Sequence, residues 1–81
     1  IGVLSHFTAE TIGLHTVFSD DSRSAQQVKS WLWDFGDGNT STEASPEHTY
    51  ADAGKYQVSL SVVDEANDQD YFERTISVIA L

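Results

Sequence analysis

Hydrophobic and polar residues alternate along most of the chain, and no window of ten or more residues has the spacing of an amphipathic helix. The clearest alternating run is 54–64, where apolar side chains are separated by glutamine and serine. The apolar positions are Tyr56, Val58, Leu60 and Val62. This period of two predicts an antiparallel strand with one face in the core and the other toward solvent.

Five further runs predict strands, and turns rich in glycine, aspartate and asparagine separate them. The predicted strands are Phe7–Ala9, Leu14–Phe18, Ser30–Phe35, Thr40–Glu43 and Tyr71–Leu81. In the tryptophan-rich strand, Trp31, Trp33 and Phe35 share one face, and Leu32 points to the other. About seven short strands at this spacing predict an all-β fold, an immunoglobulin-like sandwich of two antiparallel sheets.

A tyrosine and an aliphatic residue refine this fold prediction. In immunoglobulin domains, a tyrosine two residues before the second disulfide cysteine anchors a corner of the sandwich. Here Tyr56 lies two residues before Val58, and Trp33 lies on an earlier strand. The chain has no cysteine, so aliphatic packing at Val58 is expected to replace the disulfide.

Length and composition exclude several classes of protein. With 81 residues the chain is one small domain, and its start at Ile1 indicates a piece of a larger protein. The absence of cysteine excludes a disulfide scaffold, a cysteine-ligated zinc site and a thiol nucleophile. The apolar runs are too short to span a membrane. We expect a compact interior without a deep pocket.

The charge balance bears on possible partners. Thirteen acidic residues against four basic ones give a formal net charge of −9. Such a surface repels phosphate backbones and anionic lipids, so we expect no nucleic-acid partner and no membrane insertion. The same charge opposes self-association, which favours a monomer.

Three motifs connect the chain to a known family. Residues 31–38 read WLWDFGDG, 46–50 read PEHTY and 54–64 read GKYQVSLSVVD. Together they resemble the PKD (polycystic kidney disease) domain over nearly the whole chain. The residues that carry this structural motif are Trp33, Asp34, Phe35, Gly36, Asp37, Gly38, His48, Tyr50, Gly54 and Tyr56.

The resemblance implies a seven-stranded β-sandwich that occurs outside the cell. Members of the family are found in microbial surface proteins and in secreted proteases, collagenases and chitinases. They are not catalytic, and they act as spacers between neighbouring domains or help to engage insoluble protein or polysaccharide. The acidic, cysteine-free composition resembles that of a bacterial or archaeal member.

The WDFGDG segment is interpreted as a structural turn. Asp34 begins a DFG triplet, but an 81-residue sandwich cannot hold the other elements of a kinase. The glycine spacing of an EF-hand loop is also absent. We expect Trp33 in the core and a bond from His48 to a carboxylate or backbone group near this turn, with Asp34 or Asp37 as the obvious partner. We predict no catalytic residues and no zinc site, since the three histidines are scattered and form no HxxxH pair.

No cofactor is required by the sequence, and calcium is the metal that it allows. Asp20 and Asp21 follow the second predicted strand, and Asp64 ends the Tyr56 strand. If these loops meet at one end of the sandwich, they offer the oxygen ligands that calcium prefers. The alternative is two solvated acidic loops. The Asp-x-Asp-Gly stretch of calcium-binding relatives is missing here, and Thr16 stands at an inward position where relatives have an aliphatic residue.

A second hypothesis concerns a binding face built on aromatic side chains. Tyr71 and Phe72 are consecutive and cannot both point inward on one strand, so we expect Tyr71 to be exposed. Leu32 points away from the core tryptophan. Trp31 shares the face of Trp33 but lies farther from the strand centre, and it is either partly exposed or a second core residue. Exposed rings of this kind bind sugars or protein surfaces.

Overall fold

The computed structural model describes residues 3–24 and 27–80, and these form nine β-strands and no helix. The strands are β1 (Val3–Leu4), β2 (Phe7–Ile12), β3 (His15–Asp20), β4 (Arg23–Ser24), β5 (Val28–Asp34), β6 (Thr40–Ser41), β7 (Glu47–Thr49), β8 (Gly54–Asp64) and β9 (Gln69–Val78). No helix in the described part of the chain is long and apolar enough to cross a membrane.

Seven of these strands form the two sheets of a sandwich, which confirms the predicted fold class. One sheet has the order β2-β3-β7, and the other has the order β6-β5-β8-β9. All pairings are antiparallel. The remaining pair, β1 with β4, is a separate two-residue ladder.

The strand limits differ from prediction where the local signal was short. The strand at 54–64 is confirmed, but the loop expected over 10–13 is a tighter turn. Ile12 pairs with His15 because Gly13 adopts φ 62°, so β2 runs three residues farther than predicted. β3 begins one residue later and ends two residues later than predicted. β1, β4 and β7 were not predicted, since two or three residues are too few to show alternation. The last strand was predicted over Tyr71–Leu81, but it begins two residues earlier and ends at Val78; Leu81 itself lies outside the described residues.

The core fills the space between the two sheets and is mostly aromatic at its centre. Phe7 packs on Trp33 with ring centroids 5.1 Å apart, and Phe18 packs on Trp33 at 5.4 Å. The buried apolar residues are Val3, Phe7, Phe18, Trp33, Phe35, Tyr50, Val58, Leu60, Val62, Ile76 and Val78. Val58 is fully buried, so aliphatic packing takes the place of the disulfide as predicted.

Candidate functional site

The turn after β5 is held by its own aspartates. Asp34 Oδ1 accepts a hydrogen bond from the Gly36 amide at 3.0 Å, and Asp37 Oδ1 accepts one from the Asn39 amide at 3.1 Å. Gly36 and Gly38 have φ values of 85° and 94°, in the left-handed region that favours glycine. A Cβ on Gly36 would lie 2.6 Å from the carbonyl oxygen of Gln57, so this turn requires glycine for space as well.

His48 joins this turn to the opposite sheet. Its Nε2 lies 2.6 Å from Asp37 Oδ2, and the two side chains are only 15% and 18% exposed. The imidazole stacks on Phe35 with centroids 4.4 Å apart and meets the Tyr50 ring edge-on at 4.7 Å. This confirms the expected bond to a turn carboxylate and selects Asp37 as the partner.

The environment of Asp37 changes its acidity. Burial acts to raise the pKa of this carboxyl, but hydrogen bonds from His48 and Asn39 outweigh burial and lower the pKa below its ordinary value of 3.8. Asp37 is therefore held as a carboxylate that accepts bonds from the imidazole and from the turn. Both oxygens of Asp37 are therefore engaged within the fold.

Two tyrosines complete the same end. The Tyr50 hydroxyl donates to the Phe35 carbonyl oxygen at 2.8 Å in a buried position, and burial raises the pKa of Tyr50. The Tyr56 ring stacks on Tyr50 at 4.0 Å, and its hydroxyl donates to the Asp52 carbonyl oxygen at 2.7 Å. That bond four residues upstream is the expected tyrosine corner. We call Phe35, Asp37, His48, Tyr50 and Tyr56 the turn cluster.

The two tryptophans both lie on the inner side of β5. Trp33 is fully buried, and its indole N–H donates to the Glu43 carbonyl oxygen at 2.7 Å. Trp31 is half-buried against the core, and its indole N–H donates to Asp20 Oδ2 at 2.8 Å. Trp31 therefore does not share a surface with Leu32.

Leu32 and Tyr71 do share a surface. Leu32 pairs with Ser61, and Ser61 pairs with Tyr71, so the three residues form one row across the outer side of the four-stranded sheet. Leu32 is 51% exposed and Tyr71 is 55% exposed. The predicted exposure of Tyr71 is confirmed.

The neighbouring row on this surface is acidic. Asp34 pairs with Ser59, and Ser59 pairs with Glu73. Glu73 Oε1 accepts from Gln57 Nε2 at 2.6 Å, and Glu73 Oε2 accepts from the Tyr71 hydroxyl. The bond between the Tyr71 hydroxyl and Glu73 raises the pKa of Tyr71.

The two rows together form one continuous surface on the outer side of the four-stranded sheet, and the Tyr71 side chain reaches Ser59 on the central strand. Serines occupy the central strand, and larger side chains stand on the strands at either side. Because adjacent strands lie about 4.8 Å apart, the two walls are separated by about 10 Å at their backbones. We call this surface the serine groove. Its residues are Leu32, Asp34, Ser59, Ser61, Tyr71 and Glu73.

The candidate calcium residues lie near one end of the sandwich, and their carboxylates bond to protein donors. Asp64 is fully buried, and it accepts the Ala66 and Asp68 amides and the Ser24 hydroxyl, each at 3.0 Å. Asp20 accepts Trp31 and the Ser22 amide. Asp21 Oδ2 lies 3.3 Å from His6 Nδ1. Asp64 is thus not the solvated loop residue of the alternative interpretation.

These acidic loops contact each other, as the sequence suggested. The Ser24 bond to Asp64 joins the segment after Asp20 to the hairpin between β8 and β9, and the Glu65 amide donates to the Gln27 carbonyl oxygen at 3.0 Å. Over residues 3–24 and 27–80, however, no group of three or more histidine, aspartate or glutamate side chains is arranged as a metal site.

A chain of three polar residues on the other sheet was missed by sequence reasoning. Thr49 Oγ1 lies 2.8 Å from His15 Nδ1, and His15 Nε2 lies 2.8 Å from Glu47 Oε1. The order of groups matches a hydroxyl, a base and an acid, but the side chains lie on the outer face of the sheet, with His15 44% exposed. Only the pairing of β3 with β7 brings them together, and β7 had no recognisable signal.

Comparison with known proteins places this geometry in a family. The family model of the PKD domain matches residues 6–79. The chain belongs to the PKD domain family. This agrees with the resemblance carried by the WDFGDG turn and the strand after it.

Solved structures show the same fold. The crystal structure of the PKD1 domain of Vibrio anguillarum Epp has a TM-score of 0.97 at 32% identity, covering 100% of this PKD domain and 98% of that chain. The PKD1 domain of the Vibrio cholerae metalloprotease PrtV has a TM-score of 0.94 at 38% identity, with 99% and 100% covered. A structure of carbohydrate-binding modules from the β-sandwich superfamily has a TM-score of 0.87 at 26% identity, with 99% and 35% covered.

Curated relatives are much longer proteins. The PKD domain is 39% identical over 79 residues to the pre-pro-metalloprotease PrtV of Vibrio cholerae, which covers 96% of this chain and 9% of the relative. It is 44% identical over 61 residues to collagenase ColQ1 of Bacillus cereus, which covers 74% and 6%. The chain therefore spans less than a tenth of the length of these relatives and corresponds to one module of them.

Proposed function

We propose that this PKD domain is a non-catalytic, extracellular interaction and spacer module of a larger bacterial or archaeal protein, and that it helps to engage insoluble protein or polysaccharide. The relatives support this proposal, since they are a metalloprotease and a collagenase that carry the module as a small part. The likeness to carbohydrate-binding modules supports a binding role.

The arrangement of the polar side chains supports a non-catalytic role. The turn cluster is closed by its own bonds, and the three-residue chain around His15 lies on an open sheet. A shallow depression where β8 begins and β9 ends contains no carboxylate or imidazole for acid–base chemistry. It is lined by Ala53, Gly54, Lys55, Ser77, Val78 and Ile79.

The observation that carries the binding proposal is the row formed by Leu32, Ser61 and Tyr71. A strand pattern that exposes a leucine and a tyrosine on the same side leaves apolar area in water that a partner can cover. The Tyr71 hydroxyl is tied to Glu73, so the ring is oriented before any contact is made. An oriented aromatic ring contributes contact area at low entropic cost.

Adsorption to insoluble collagen, chitin and cellulose tests this proposal. The double variant Leu32→Ala/Tyr71→Ala is expected to lower the apparent affinity for at least one of these materials by about fivefold or more. The matched control is Ile12→Ala, which removes a 74% exposed apolar side chain from the other sheet. Equal adsorption by the double variant, the control and the unchanged domain would contradict the proposal.

A second candidate function is a calcium-stabilised interdomain junction. What supports it is the contact between the segment after Asp20 and the β8–β9 hairpin through Ser24 and Asp64. Calcium binding to the folded domain alone would raise its Tm by mass action. Thermal unfolding with and without about 5 mM calcium tests this, since extracellular modules bind in the millimolar range. An unchanged Tm, together with no heat on titration, removes the hypothesis.

A further inference from the structure

We propose that the serine groove binds a protein surface that presents lysine or arginine side chains, with the cation held between Tyr71 and the carboxylates of Asp34 and Glu73. This inference rests on the proposed function, because it names the partner for the same surface.

The first step is the composition of the groove. Its apolar row has Leu32 and Tyr71 as walls, and its acidic row has Asp34 and Glu73 as walls, directly adjacent along each strand. Serines with short side chains form the centre of both rows, so the apolar and the acidic side chains lie close together on one surface. Lysine and arginine have this combination of an apolar stem and a charged end.

The second step is the absence of a competing cation. In 3–24 and 27–80, no lysine or arginine forms an ion pair with Asp34 or Glu73. Lys55 lies two outward positions beyond Ser59 along β8. Arg74 alternates to the other side of β9, where its Nη1 lies 3.4 Å from the Phe7 carbonyl oxygen. The two carboxylates of the groove are therefore not neutralised by the domain's own cations.

The third step is the combined chemistry of the ring and the carboxylates. A cation placed over the face of a tyrosine is attracted by the ring quadrupole. Here Glu73 holds the Tyr71 hydroxyl, so one cation can contact the ring and the carboxylate together. The formal net charge of −9 adds a long-range attraction for basic surfaces. A neutral polysaccharide would use the ring but would gain nothing from this charge.

The test compares two pairs of substitutions that change the net charge equally. Asp34→Asn/Glu73→Gln removes two negative charges from the groove, and Glu10→Gln/Glu47→Gln removes two from the outer side of the other sheet. Adsorption to fibrous collagen is measured at about 0.05 and about 0.5 M salt, where screening differs strongly. The same fibre with its lysine amines acetylated serves as the cation-depleted probe.

We expect the groove pair to lower the affinity for untreated collagen by about fivefold or more at low salt, and the control pair to lower it by less than about twofold. Acetylation of the collagen lysines is expected to reduce the difference between the two pairs, and the part that remains measures the contribution of arginine, which keeps its charge. An equal loss for both pairs, or a groove pair that adsorbs like the unchanged domain, would overturn the inference. So would stronger adsorption to cellulose than to collagen.

The failure of this inference can be distinguished from failure of the proposed function. Loss of adsorption in Leu32→Ala/Tyr71→Ala, with adsorption kept in the charge variant, contradicts only the cationic partner. Adsorption kept in the alanine variant to collagen, chitin and cellulose contradicts the docking surface itself. Glu73→Gln alone repeats the test without touching Asp34, whose Oδ1 accepts the Gly36 amide.

Discussion

The turn cluster and the serine groove contain similar side chains, but these side chains have different roles. Both contain a tyrosine close to a carboxylate, but the turn cluster joins the two sheets, and the serine groove spans neighbouring strands of one sheet. In the turn cluster, the Tyr50 hydroxyl donates to the Phe35 carbonyl oxygen, and Asp37 pairs with His48. These polar groups therefore have partners within the fold. In the groove, Tyr71 and Glu73 bond to each other and remain in solvent. The first arrangement stabilises the domain, and the second is the surface that we propose for a partner.

Neighbouring residues on a single strand show how small the structural difference is. Trp33 and Leu32 are adjacent on β5, and one is fully buried while the other is 51% exposed. Because successive side chains of a strand point to opposite faces, register alone decides which residue serves the core. The comparison can therefore be tested with paired substitutions.

The largest expected effect is the removal of the core indole. Trp33→Ala is expected to lower the free energy of unfolding by about 3–5 kcal/mol, because it leaves a cavity and the Glu43 carbonyl oxygen without its indole donor. Leu32→Ala is expected to change it by less than about 1 kcal/mol, since the side chain is half exposed. Urea denaturation measures both. Similar losses for the two variants would contradict the distinction between core and groove.

The next largest effect is a difference in stability between the loss of the Tyr50 hydroxyl and the loss of the Tyr71 hydroxyl. Tyr50→Phe removes a buried 2.8 Å bond to the Phe35 carbonyl oxygen and is expected to cost about 1–2 kcal/mol. Tyr71→Phe removes an exposed bond and is expected to change stability by no more than about 0.5 kcal/mol. Chemical denaturation of both variants checks this order. A larger loss for Tyr71→Phe would show that the groove supports the fold.

A stabilising substitution is expected at Thr16, on the inner side of the three-stranded sheet. Thr16 is fully buried, and within the described residues its Oγ1 has no hydrogen-bond partner. Thr16→Val keeps the shape and removes the unpaired hydroxyl, so it is expected to raise the free energy of unfolding by about 1 kcal/mol. The matched control is Thr8→Val at an exposed position of β2, which should have little effect on the free energy of unfolding. Destabilisation by Thr16→Val would mean that the hydroxyl is satisfied.

The smallest effect is a change in acid sensitivity. The pKa of Asp37 lies below its ordinary value of 3.8 in the folded state, so its contribution to stability is present above that value and is lost as the pH falls through the lower folded pKa. Asp37→Asn should flatten the dependence of Tm on pH below about pH 4. His48→Gln removes the imidazole partner and should move the acid transition to higher pH. An unchanged profile in both variants would contradict the role of this pair.

Most of the turn cluster could be predicted from the sequence. The glycines at 36 and 38, the bond of His48 and the tyrosine corner all follow from residues within or close to recognisable motifs. The choice of Asp37 over Asp34 could not be predicted, since both lie within reach of the turn. Asp34 instead accepts the Gly36 amide, a bond that depends on the path of the turn.

The serine groove was only partly predictable. Alternation indicated that Leu32 and Tyr71 point outward, but these two residues are 39 positions apart in the sequence. Their position on one row depends on two registers, Leu32 with Ser61 and Ser61 with Tyr71. The same registers place Glu73 opposite Asp34 across Ser59, and no local pattern in the sequence contains that information.

The sequence by itself determined the class of fold, the strand at 54–64 and the inward direction of Trp33, because alternation and turn chemistry act between near neighbours. Tertiary structure alone decided the burial of Asp64 and the bond from the Trp31 indole to Asp20. It also decided the grouping of Leu32, Tyr71 and Glu73 on one surface. These features depend on how distant strands align, and a shift of one residue would turn each side chain to the other face.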